Sequence, residues 1–120
     1  MIGLGLVIGL TMLDIETEGA WLVSLDDRHK LTFLAMLGHS LTIAGRSGYA
    51  AQGDGLDQPV LLRRINEIQH RVLACLLEVL TGRSNESFQR SIADWVLRHD
   101  DLEMKQLMSW SWNSTKEHLL

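Results

Sequence analysis

Glu67 and His70 form a Glu-x-x-His step, the spacing that di-iron four-helix bundles use twice together with glutamates from other helices. The step occurs once here, and Arg63 and Arg71 flank it, where two guanidinium groups would repel a bound cation. It therefore reads as a surface ion-pair pattern, and no metal or cofactor is expected. Asn66 and Gln69 fall inside an otherwise apolar arc, where buried amides must find partners. They could bond an adjacent helix or the long loop, pair across a dimer axis, or line a small-molecule pocket. His39 shares the polar side of its segment with Thr42 and Arg46 and reads as an exposed or interface histidine. Cys75, the one cysteine, lies in an apolar stripe and reads as a small buried hydrophobe. His29, His99 and His118 share no metal-ligand spacing and are expected at the surface.

Arg64 and His70 make an Arg-x5-His step, and Arg63 and His70 an Arg-x6-His step. The pattern resembles the Arg-x(4–6)-His signature of HEPN-family ribonucleases, small helical bundles that dimerise and cut RNA without metal. The resemblance covers this short motif alone. It implies Arg64 stabilising phosphate charge and His70 as general acid or base, an alternative to an interaction role. On a straight helix the two side chains point ~120° apart, so the pair would need help to converge. RNA enters as a partner only under that alternative. The net charge of −4 and pI near 5.6 lack the basic footprint of a DNA-binding surface.

The helix that carries these residues is the strongest feature of the chain. Leu61, Ile65, Ile68, Val72, Cys75 and Val79 alternate at spacings of four and three and keep one apolar stripe on one side. Leu62, Leu73, Leu76, Leu77 and Leu80 widen it, so the helix is expected to be covered on more than one side. Pro59 suits a first helical turn and Gly82 a left-handed stop, which predicts a helix over 59–81. Ser24, Asp26 and Asp27 predict a second helix from about Leu25 to about Arg46. Phe88, Ile92, Trp95 and Val96 predict a third of about four turns, with Trp95 in the core. After a break at His99-Asp100-Asp101, Leu102, Met104, Leu107, Met108 and Trp110 predict a shorter fourth.

The expected fold is all-α: a small bundle of three long helices and one shorter one over 24–120, preceded by an apolar extension over 1–23. Within that extension Met1 to Leu13 is too short to span a membrane and lacks the features of a signal peptide. It suits a packing strand or helix, an interfacial tail, or a start misplaced upstream of Met12. Leu13 to Val23 alternates around Glu18-Gly19 and suits a short hairpin or an irregular connection. Gly45 to Gln58 reads as a flexible connector anchored by Tyr49. Trp110 and Trp112 either fold back into the core or stay exposed as a partner surface.

No nucleophile elbow or phosphate loop is present. The expected function is a small protein-interaction or regulatory module, homodimeric and cytoplasmic, with a second copy or another protein as its partner. The interface candidates are Trp110, Trp112, Asn66, Gln69 and His39.

Overall fold

A computed structural model describes residues 13–46, 58–83 and 85–119. The expectations placed on the amino-terminal glycines and on most of the long connector, Tyr49 included, lie outside these residues. The chain forms α1 (Ile15–Ser24), α2 (Asp27–Arg46), α3 (Gln58–Leu80), α4 (Glu86–Leu97) and α5 (Leu102–Leu119). Among the described residues there is no strand. None of these helices is long and apolar enough to cross a membrane.

The helix ends follow local chemistry. Asp26 Oδ1 accepts from the His29 backbone N–H at 2.9 Å, so Asp26 caps α2. At the end of α3, Gly82 takes φ +75°, its N–H donates to Val79 O, and that of Arg83 donates to Glu78 O. This is a Schellman stop, which a residue without Cβ adopts most readily. Asn85 Oδ1 caps α4 through the Phe88 N–H, and Asp101 Oδ1 caps α5 through that of Met104.

Two expectations are corrected here. The Leu13–Val23 hairpin is helix α1. The alternation around Glu18-Gly19 hides a helical spacing in which Glu18, Gly19 and Leu22 face inward together. Gly19 lets α1 lie close on α4, since a Cβ there would sit 3.1 Å from Arg90 O. The helix packs along α4. The last two helices also exchange lengths: α4 has 12 residues and α5 has 18. The tail supplies the difference, because Met104, Met108, Ser111, Trp112 and Thr115 are all buried and continue the helical period beyond Trp110.

The packing pairs α1 with α4 and sets α2 between α3 and α5, while α4 also meets α3 and α5. Leu61, Ile65, Ile68, Val72, Cys75 and Val79 of α3 are all buried, as the spacing predicts. They join Phe33, Leu34, Leu37 and Leu41 of α2 and Ile92 and Val96 of α4. An aromatic cluster closes the other side of α2. The Trp112 ring meets Phe33 edge-on at 4.9 Å, and Trp21 meets Phe33 at 5.0 Å, a preferred aromatic geometry. Trp95 is half-buried rather than core, with the Arg71 guanidinium 4.2 Å above its ring.

The polar tie across this core was not expected. Glu18 of α1, 6% exposed, accepts from the Trp112 indole N–H at 2.8 Å and from Lys116 Nζ at 3.0 Å. Lys116 Nζ also lies 4.5 Å above the Trp21 ring. A buried indole N–H and a buried carboxylate thus satisfy one another across 94 positions of chain.

Candidate functional site

The chemistry proposed for α3 separates into different faces. At about 100° per residue, Arg64 and Arg71 project toward α4, and Gln69 and Leu62 toward α2. His70 points away from both. The His70 ring donates from Nδ1 to Asn66 O at 2.9 Å, within its own helix, and the side chain is exposed. Arg64 and His70 are therefore not brought together.

Arg64 instead lines a cleft of about 270 Å³ between α3 and α4 with Glu67, Asp94, Trp95, Arg98 and His99. His99, expected at the surface, is half-buried and bonds Val96 O through Nε2 at 2.9 Å. Burial pushes its pKa below the ordinary histidine value, a shift partly offset by the Val96 carbonyl and reinforced by the nearby Arg64 charge. The acids answer the bases within the cleft: Asp94 Oδ1 accepts from Arg98 Nε at 2.6 Å. With carboxylates and guanidinium groups interleaved, the cleft carries no uniform field for a phosphate backbone. Sequence reasoning missed His99 because it lies just beyond the end of α4, where the helical period no longer fixes direction.

Gln69 finds its partners on α2, donating from Nε2 to Gly38 O at 3.0 Å and to the Thr42 hydroxyl. That is the adjacent-helix option among those open to it. Asn66 is exposed beside it. Both line an open depression between α2 and α3 that also contains Leu62 and Gly45.

The tryptophans of the tail split. Trp112 is fully buried, and Trp110, two positions earlier and so on the opposite side of α5, is 57% exposed. Trp110 and His39 border one groove between α2 and α5, of about 680 Å³, with Met36, Ile43 and Leu107 also on its walls. The groove brings two of the interface candidates to one place. His118, at its end, bonds Ser114 O through Nδ1, and Ile43 is half exposed.

A further uncovered apolar feature is on α3. As expected, α3 is covered on more than one side, by α2 and by α4, but among the described residues a row of its leucines stays partly exposed. Leu62, Leu73, Leu77 and Leu80 are 42%, 51%, 60% and 59% exposed, while Leu76 is half-buried. They form one face next to the core stripe, with Asn66 and Gln69 at its amino-terminal half. Single exposed leucines are ordinary on a protein surface; here four lie along one helix.

Cys75 is fully buried, and burial raises its thiol pKa to about 11, which leaves it a protonated packing group. Among the described residues no three histidine, cysteine or acidic side chains converge to hold a metal. Compared with known proteins, the chain matches no family model, no curated protein and no solved structure.

Proposed function

We propose that this protein is a helical protein-interaction module that acts as a homodimer. One observation carries the reading. The bundle completes its core with the Trp112, Phe33 and Val72 layers fully buried, yet a row of leucines along α3 stays half in water. Half-exposed leucines on one helix face are stabilised when another apolar surface removes them from solvent, by about 1 kcal/mol each for the part still exposed. Eight such side chains in a two-fold pair give roughly 8 kcal/mol before the cost of association, which is itself several kcal/mol. Further contacts around the row decide the final affinity.

The test is sedimentation velocity over a wide concentration range. A reversible dimer that tightens with temperature or kosmotropic salt, as burial of apolar surface requires, supports the reading. A strict monomer up to about millimolar concentration, where association would fall below ~4 kcal/mol, overturns it.

A further inference from the structure

We propose that the groove between α2 and α5 binds a small amphiphile with a linear hydrocarbon body and one anionic head, a free medium-chain monocarboxylate. No described residue of α3 lines this groove, so the inference stands apart from the homodimer reading.

The walls have the make-up of a ligand site. The volume of about 680 Å³ falls within the ~300–1,000 Å³ of small-molecule pockets. Met36, Ile43, Leu107 and Trp110 give it an apolar lining, and Trp110 and Ile43 are 57% and 52% exposed. A hydrocarbon body laid against these two is stabilised by the apolar area it removes from water. The lining runs over about 16 Å of α5, from Leu107 to His118, and about 13 Å of α2, from Ala35 to Ala44. That length takes an extended chain of about ten carbons, with C–C bonds near ~1.5 Å. An extended peptide would instead lay backbone N–H and C=O groups on an apolar wall that cannot answer them.

The charge of the groove selects the head. The chain holds 15 acidic residues and a net charge of −4, yet no described residue that lines the groove is acidic. The titratable side chains among them are His39 and His118, which carry either no charge or a positive one. His39 is exposed, and its ring has no hydrogen-bond partner among the described residues. His118 bonds Ser114 O through Nδ1, which keeps Nε2 for a ligand. The Ser40 and Ser114 hydroxyls add neutral donors. A carboxylate can accept from all of these groups, most strongly from an imidazolium. An ammonium head meets no counter-charge on these walls.

NMR titration of the isotope-labelled full chain with decanoate and with decyltrimethylammonium, each below its micelle concentration, tests the site. Decanoate should bind at least about tenfold more tightly, the ratio expected for one hydrogen bond to a charged group, and should shift the Trp110 indole and His39 signals. Ile43→Glu puts a carboxylate on the wall at an exposed position. It should weaken decanoate by about tenfold or more and leave decyltrimethylammonium no weaker. Trp110→Ala, also at an exposed position, should weaken decanoate by a similar factor through its body. Circular dichroism checks that both variants keep the fold. Equal binding of the two probes overturns the anionic head. Decanoate that binds both variants as tightly as the unaltered chain overturns the groove, and no shift up to millimolar decanoate overturns the site. Capture by phosphatidylglycerol vesicles without binding of free decanoate overturns the free ligand in favour of a lipid surface.

Discussion

Replacing Glu18 by leucine isolates the cross-core tie between the first and last helices. Trp112 is fully buried and Glu18 Oε1 is its hydrogen-bond acceptor, so Glu18→Leu leaves a buried indole donor unsatisfied at about 1–3 kcal/mol. Lys116 also loses its ion pair, but its side chain is 25% exposed and it keeps the Trp21 ring, so this part adds less than about 1 kcal/mol. The removal of a carboxylate from a buried site offsets some of the loss. The expected net destabilisation is about 2 kcal/mol, which moves a urea midpoint down by about 1–2 M for a domain with a slope near 1–2 kcal/mol/M. Glu18→Gln keeps an acceptor for the indole and should lose about half as much. The assay is urea unfolding followed by circular dichroism and tryptophan fluorescence, with Trp112→Phe completing a double-mutant cycle. A Glu18→Leu loss below about 0.5 kcal/mol, or a cycle with no coupling, refutes the tie as a determinant of stability.

Three further outcomes are expected. Cys75, buried and with its pKa raised to about 11, should resist a thiol reagent at neutral pH in the folded chain and react at once in denaturant; fast labelling of folded protein would contradict its burial. His99 has a folded pKa below its unfolded value near ~6.5, so the unfolded state binds more protons in that window. Its contribution is then present above that pH and is lost as the solution is acidified through the folded pKa. Denaturant titrations across that range should show stability falling toward acid, and His99→Gln should flatten that slope. Gly19→Ala sets the overpacking of its Cβ against the Arg90 carbonyl at 3.1 Å, about 1–3 kcal/mol, against about 1 kcal/mol gained in helix propensity, so a net loss of up to about 2 kcal/mol is expected; a gain in thermal unfolding would show that α1 can shift on α4.

The heptad of α3 and its glycine stop were legible because they are local: a spacing of three and four fixes a face, and a left-handed residue ends a helix. The same logic exposes the second row of leucines, although only the structure shows that Leu73, Leu77 and Leu80 stay about half exposed beside the other described helices. Helix α1 was misread since ten residues with a glycine at their centre fit both a period of two and a period of 3.6, and what selects the helix is contact with α4. The fates of Trp110 and Trp112 turned on the length of α5. Once the helix runs through Thr115, the two rings must face opposite ways, and Met104 and Met108 mark the inner side. Glu18 could not be read as a partner of Trp112 from spacing at all, because 94 positions separate them. The Arg64 and His70 motif was legible as letters only; its geometry disperses them, and Arg64 meets His99 instead.

The tie between Glu18 and Trp112 also bears on biosynthesis. The tryptophan that fills the space beside Phe33 and Trp21 is translated after α1, α2, α3 and α4, so a growing chain that has not reached residue 112 holds their aromatic seat vacant. Completion of this core must await emergence of α5 from the ribosome. Nascent chains halted before residue 112 would display that seat to chaperones and proteases.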